Sequence, residues 1–237
     1  MKKYGIFADD LTGSMDAGMQ FLKKKINIKV CMDPRYLYKI LEDSNMVVID
    51  TETRNVSKNI ARRKITQFID LCHKNNVELI YKKIDSTLRG NIGEELDVVL
   101  EKTKTDIIFF APALPENNRR VKNGYHYIGD KKIGDSEISK DPLAPVSESF
   151  IADIIGQQID KKSYLIDIKT LRANMEILLS KVEKLDIEGY KIIIFDSEVE
   201  EDLNRIALLI SKIKMNVLPC GSAGLLSSII SNNFQKS

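Results

Sequence analysis

The residues best equipped for chemistry lie in one stretch, Tyr81-Lys82-Lys83-Ile84-Asp85-Ser86-Thr87-Leu88-Arg89-Gly90-Asn91-Ile92-Gly93-Glu94-Glu95. It combines a carboxylate (Asp85), two hydroxyls (Ser86 and Thr87), cations (Lys82, Lys83 and Arg89) and a Gly90-Asn91 pair. An apolar run, Val77 to Ile80, precedes it and an amphipathic one, Ile92 to Leu100, follows. That order of strand, loop and helix builds a site beyond the carboxyl end of a parallel sheet. A helix N-terminus there adds unpaired N–H groups and a positive dipole end, which suit a small anion. Taken alone, the same loop also reads as a polar connection capped by Asn91. A second polar loop, Asp9-Asp10-Leu11-Thr12-Gly13, and a third, Thr51-Glu52-Thr53-Arg54-Asn55, favour a site.

Arg54 and Arg89 are planar donors of the kind that grip a carboxylate or phosphate bidentately. Asp10, Asp16 and Asp85 can accept hydrogen bonds from hydroxyls, and one can serve as a general base. Lys82 and Lys83 point in opposite directions on a strand, so at most one is expected to face the site. Such a mixture describes a site for a small polyhydroxy acid. Gly221-Ser222-Ala223-Gly224 is a further candidate ligand contact, or else an ordinary turn before a helix. The sequence has neither a G-x-x-x-x-G-K-[ST] loop nor a G-x-G-x-x-G fingerprint, and no G-x-S-x-G elbow.

The elements that must position these residues follow from periodicity. Strands are expected at Tyr4 to Ala8, Ile28 to Met32, Met46 to Asp50, Val77 to Lys82 and Ile107 to Ala111. Helices run between them: Ser14 to Lys25, with Met15, Met19 and Leu22 on one face, and a longer one capped by Ser57 and ending near Asn75. From Pro112 to Val146 the pattern breaks, with Pro112, Pro115, Pro142 and Pro145 and three glycines, as in a long loop over the active face. Alternation resumes with a helix near Ser149 to Ile159 and a strand at Tyr164 to Ile168. A helix from Leu171 to about Leu185, a strand at Lys191 to Phe195 and a helix from Glu200 to Lys214 follow. A strand at Asn216 to Leu218 then turns at Pro219 into a helix from Leu225. The fold class is α/β: a mostly parallel sheet with helices on both faces, a Rossmann-like three-layer sandwich.

Composition narrows the function classes. Hydrophobic residues make 43% and charged residues 30% of the 237, the balance of a globular protein with a sizeable core. Lys and Arg number 36 against 34 Asp and Glu, a net charge of +2, which gives no reason to expect nucleic acid or an anionic membrane. No apolar run approaches a membrane span, and the N-terminal run is cut at Asp9, too early for a signal peptide. Cys31, Cys72 and Cys220 are far apart and read as reduced thiols of a cytoplasmic protein, not zinc ligands; no metal site is expected.

The three loops, in this order, resemble the N-terminal domain of the four-carbon acid sugar kinase family. The matching stretches are Ala8 to Gly13 with Asp16, Asp50-Thr51-Glu52-Thr53-Arg54, and Lys82 to Asn91. Ala111 to Pro115 with Arg119, Val121 and Gly124, the Asp141-Pro142 pair and Gly221 to Leu225 extend the match over nearly the whole chain. Thr53 stands where the family usually has Ser, and Ser14 where it has Ala. The resemblance implies ATP-dependent phosphorylation of the terminal hydroxyl of threonate, erythronate or 3-oxo-tetronate. It makes Asp10 or Asp85 the group that orients or deprotonates that hydroxyl. Asp9, Thr12, Asp16, Arg54, Lys83, Ser86, Thr87, Arg89, Gly90 and Asn91 would bind the sugar acid, and Gly221, Ser222 and Gly224 the cofactor. ATP and Mg2+ are implied, held mostly outside this chain. Residues 1–237 would then be one sugar-acid-binding domain, with the nucleotide-binding domain absent: a fragment, or one subunit of a split kinase. Its expected partners are a sugar acid, a nucleotide-binding domain or subunit, and a second copy in a homodimer. A non-catalytic binding protein for a small hydroxy acid is the alternative.

Overall fold

The computed structural model describes residues 2–234, and the statements below concern those residues. The chain opens with β1 (Lys3–Ala8), α1 (Leu11–Leu22), β2 (Lys29–Cys31), α2 (Leu37–Asp43), β3 (Met46–Asp50) and α3 (Lys58–Lys74). It continues through β4 (Val77–Lys83), α4 (Ile92–Lys102) and β5 (Ile107–Ala111). An excursion carries β6 (Arg119–Lys122), β7 (Tyr125–Ile128) and β8 (Lys131–Lys132). Then come α5 (Ile151–Gly156), β9 (Ser163–Ile166), α6 (Ile168–Leu171), α7 (Met175–Ile187), β10 (Ile192–Phe195), α8 (Glu200–Lys212), β11 (Val217–Gly221) and α9 (Ala223–Phe234).

Among the described residues the main sheet has eight strands in the order β2-β3-β1-β4-β11-β5-β10-β9, and every neighbouring pair is parallel. Its central strands are apolar runs without alternation, such as Ile107 to Ala111 and Ile192 to Phe195. Both their faces are covered by helices, so every side chain is buried. With right-handed crossovers, α1 leads from β1 outward over β3 to β2, whereas α3 and α4 lead the other way. Accordingly α1 packs with α9 on one face, and α3 packs with α4 on the other. The winding therefore reverses between β1 and β4, the place where such a sheet opens a crevice at its carboxyl edge. Asp9 follows β1 and Asp85 follows β4.

Several elements differ from the periodicity reading. Met15, Met19 and Leu22 do share a face of α1, but they are 56%, 49% and 53% exposed; the buried stripe is Ala17, Gly18 and Phe21. Periodicity marks which residues align, not which side meets the sheet. The expected 171–185 helix breaks after Leu171, and Asn174 starts α7 by accepting the Glu176 N–H at 2.8 Å. β11 runs through Pro219 to Gly221 instead of ending at Leu218; it joins β4 only from Cys220, once past the proline. α2 lacks a strong sequence signal and is held by Leu37 and Leu41 in the core.

The expected long loop is a small folded unit. β6, β7 and β8 form a three-stranded antiparallel sheet, and Val121 and Ile133 bury themselves completely. The buried Asp196 carboxylate at the end of β10 ties it down, accepting the Asn123 and Gly124 N–H groups at 2.9 and 2.8 Å. No helix among the described residues is long and apolar enough to cross a membrane. Cys31, Cys72 and Cys220 are free and buried.

Candidate functional site

Strand register brings the polar loops together. At the end of β1, Ala8 lies opposite Asp50 of β3 on one side and Lys83 of β4 on the other. The β3 loop is then laced onto the β1 loop: Thr53 and Arg54 both donate their N–H to the Asp9 carbonyl, at 2.9 and 3.1 Å. Asp10 caps α1 by accepting the Gly13 N–H at 2.7 Å. Arg54 reaches across with four hydrogen bonds, to Asp9 at 2.8 and 3.0 Å and to Asp10 at 2.5 and 2.9 Å. Burial works against its charge, but the hydrogen bonds and fields of these aspartates and of Asp85 outweigh it and hold the guanidinium protonated.

The β4 loop folds around Asp85. Its carboxylate accepts the Thr87 hydroxyl at 2.6 Å and Arg89 Nε at 2.5 Å. Burial alone would raise the Asp85 pKa; Arg89, the Arg54 field and the Thr87 hydroxyl overcome it and bring the group to about 2. Leu88 adopts φ +59°, a left-handed conformation that is unfavourable for leucine, with its side chain buried. Gly90, at φ +96°, lies against Arg54: a Cβ there would stand 3.1 Å from the Arg54 Cα. Asn91 occupies the cap position of α4, yet its amide makes no cap bond. It donates instead to the Thr53 and Val56 carbonyls, both at 2.8 Å, stapling the β4 loop to the β3 loop.

The lysine pair separates as the pleat requires. Lys83 faces the cleft, with Nζ 3.5 Å from Asp16 and 3.1 Å from the Ile84 carbonyl. Lys82 points the other way, fully buried, with Nζ 2.7 Å from Glu95 of α4. Burial would lower its pKa, but the fields of Glu95 and Asp9 prevail and keep it charged. Asp50, also buried, is pushed up to about 6 by burial, with the Glu52 and Asp10 charges adding to it.

The excursion closes the cleft from above. Arg119 of β6 donates to the Ser86 hydroxyl, and His126 of β7 contacts the Ser86 carbonyl through Nε2 at 2.7 Å. Burial lowers the His126 pKa to about 4, so the ring is neutral at pH 7 and Nε2 donates. Asp141 accepts Arg89 Nη1 at 3.0 Å. The space enclosed is about 320 Å³ and has Asp10, Thr12, Asp16, Arg54, Lys83, Asp85, Ser86 and Arg89 on its wall. All eight are sites expected from the sequence. Asp9 and Thr87 stand behind the wall, 2% exposed each, and hold its side chains in place. Gly90 and Asn91 line a neighbouring cleft with Val56 and Gln158 instead. Gly13, Leu114, Glu116, Asn117 and Arg119 complete the wall, and Glu116 and Asn117 carry no motif that a sequence could offer.

The Gly221 to Gly224 turn does not offer a cradle for a phosphate. Ser222 is fully buried, its hydroxyl donates to the Ala113 carbonyl at 2.6 Å and accepts the Gly224 N–H at 3.0 Å. A Cβ on Gly221 would lie 2.2 Å from the Ala111 carbonyl oxygen, so this glycine is required by strand packing. Among the described residues no cluster of His, Cys, Asp and Glu is arranged to hold a metal ion. Gly221 and Ser222 thus both serve packing at this edge of the sheet.

Comparison with known proteins agrees with this architecture. The sequence profile of the family described as "Sugar-binding N-terminal domain" matches residues 4–229, and the chain belongs to that family. It is 30% identical over 226 residues to the D-threonate kinase of Salmonella typhimurium, covering 94% of this chain and 52% of that protein. It is 27% identical over 215 residues to the D-erythronate kinase of Heliobacterium modesticaldum, covering 87% and 48% respectively. A crystal structure of a domain of unknown function from Bordetella bronchiseptica, a domain-swapped dimer with bound citrate, superposes with a TM-score of 0.83. There the identity is 25%, over 97% of this chain and 57% of that one. The chain spans about half the length of the curated relatives it matches.

Proposed function

We propose that this chain is the sugar-acid-binding part of a kinase that phosphorylates the terminal hydroxyl of a four-carbon acid: threonate, erythronate or 3-oxo-tetronate. The observation that carries the reading is the cleft at the switch point between β1 and β4, where Asp10, Lys83, Asp85, Ser86 and Arg89 converge on a space the size of a small ligand. Its wall is made mainly of charged and hydroxylic side chains, with Leu114 among them, and complements a short hydroxy acid. Kinase relatives of four-carbon acids support the substrate class.

In this reading the chain's task is positioning, which is most of what phosphoryl transfer asks of a protein. Asp10 stands at the cleft with its side chain 22% exposed, where it accepts the hydrogen bond of the attacking hydroxyl and serves as the base that takes its proton. Asp85, held near pKa 2 by its cationic neighbours, is a weak base at neutral pH and serves to set Thr87 and Arg89. Arg54 orders Asp9 and Asp10. ATP with Mg2+ would supply the phosphoryl group, and a nucleotide-binding domain or subunit would hold it, as the kinase relatives suggest. A nucleotide-binding domain or subunit is the partner this requires, and the domain-swapped relative makes a homodimer a second assembly to test.

Calorimetric titration of the chain with D-threonate, D-erythronate and 3-oxo-tetronate, then with Mg-ATP, tests the reading. Binding of one acid in the presence or absence of nucleotide is the expected result. Tight Mg-ATP binding by these residues alone would overturn the division of labour, and indifference to all three acids would remove the substrate assignment.

A further inference from the structure

The cleft holds four cations, and they are not equally free. Arg54 is shared by Asp9 and Asp10, and Arg89 by Asp85 and Asp141, so each arginine is outnumbered by its own carboxylates. Lys83 faces Asp16. Arg119 differs: among the described residues it has no carboxylate partner. Its side chain makes one hydrogen bond among the described residues, from Nη1 to the Ser86 hydroxyl. Its Nε is enclosed and has no acceptor at all. Native structures rarely leave a buried donor unpaired, and this one belongs to a side chain on the wall of the polar cleft.

We propose that Arg119 is the residue that fixes the carboxylate of the sugar acid, through the Nε–Nη2 edge left free by its bond to Ser86. The assignment rests on the sugar-acid reading above and moves the anionic anchor from the motif arginines to the excursion. A carboxylate matches that edge with two parallel hydrogen bonds, the arrangement in which arginine outperforms lysine. It also gives Arg119 the carboxylate partner that Arg54, Arg89 and Lys83 already have among the described residues. The Ser86 hydroxyl, held by Nη1, then lies beside the bound acid and is placed for the first hydroxyl along its chain. Because β6 belongs to a folded unit anchored on Asp196 and Ser197, the anchor stands on rigid backbone.

The test compares D-threonate with its uncharged carboxamide, by calorimetry, on the wild-type chain, Arg119→Ala and Arg119→Lys. Wild type is expected to prefer the acid. Arg119→Ala should lose about 30-fold or more in affinity for the acid and change by less than about 3-fold for the carboxamide, so that the preference collapses. Arg119→Lys keeps the charge without the fork and is expected to fall between, which preserves the test should the alanine variant fold poorly. Undiminished threonate binding by Arg119→Ala would overturn the anchor and leave the sugar-acid reading standing. Equal losses for acid and carboxamide would show that Arg119 merely holds the Ser86 loop. A wild-type chain that binds neither ligand defeats the underlying reading, and the anchor with it.

Discussion

At the scale of single residues the site is governed by how each charge is partnered. Asp85 has a folded pKa of about 2, below the ordinary value near 3.9, so its stabilisation is present above pH 4 and is lost as pH falls toward 2. Asp85→Asn is expected to melt with a flatter acid limb than wild type between pH 4 and 2; identical limbs would refute the shift. Asp50 has the opposite sign. Raised to about 6, it binds a proton more tightly folded than unfolded, so stability declines as pH rises from 4 through 6. Asp50→Asn, which keeps an oxygen for the Glu52 N–H, should gain on the order of 2 kcal/mol at pH 8 and nothing at pH 3. A denaturation series at the two pH values decides it. Lys82 and Glu95 form a buried pair under the site. Lys82→Met alone strands the Glu95 carboxylate and is expected to cost roughly 3–5 kcal/mol, while the double change Lys82→Met with Glu95→Leu should recover most of it. A double-mutant cycle in urea measures both.

At the scale of elements, the loops matter through what clamps them to each other. The β3 loop has no strong structural signal of its own; Asn91 and Gly90 from the β4 loop hold it. Gly90→Ala puts a methyl against the Arg54 backbone at a φ that alanine resists. A stability loss of about 1–2 kcal/mol is expected, together with weaker sugar-acid binding, since Arg54 sets Asp9 and Asp10. Unchanged binding alongside the stability loss would mean that Arg54 tolerates displacement. The excursion is the element whose role the sequence shows least. Its prolines and glycines read as a loop, yet its short strands bury Val121 and Ile133 and bring Arg119, His126 and Asp141 onto the β4 loop. Strands of four, four and two residues are too short to show an alternating pattern, so they leave little local trace even though each pairs with its neighbour in sequence.

At the scale of the whole molecule, the all-parallel sheet sets the hierarchy of stability. Strands β4, β11 and β5 are flanked on both sides, whereas β2 and β9 are edges. Amide hydrogen exchange should therefore be slowest in Phe109, Phe110 and Cys220 and fastest among the strands in Lys29 to Cys31. Exchange of the central strands as fast as that of the edges would contradict this order. The exposed Met15, Met19 and Leu22 of α1 belong to this scale too, since nothing in the local pattern tells a helix which of its sides the sheet will take.

The sequence by itself determined the layer architecture and the three polar loops. Alternating apolar runs and amphipathic helices admit few other folds, and residues that converge at one sheet edge must follow its strands. Asp10, Lys83, Asp85, Ser86 and Arg89 were legible for that reason, and so was the opposition of Lys82 and Lys83, which the pleat dictates. What only the tertiary structure decided is how the charges are spent. Arg54 and Arg89 have the chemistry of anion grips, but the fold brings Asp9 and Asp10 to Arg54 and adds Asp141 to the Asp85 that Arg89 already meets within its own loop. Ser222 has a hydroxyl that strand packing claims for Ala113. Arg119, one cation among many along the chain, becomes the cleft cation without a carboxylate partner among the described residues because β6 is carried across the sheet edge to Ser86. Residue type fixes which interactions are available; distance through the fold, which no local pattern encodes, fixes which of them the protein has already satisfied within itself.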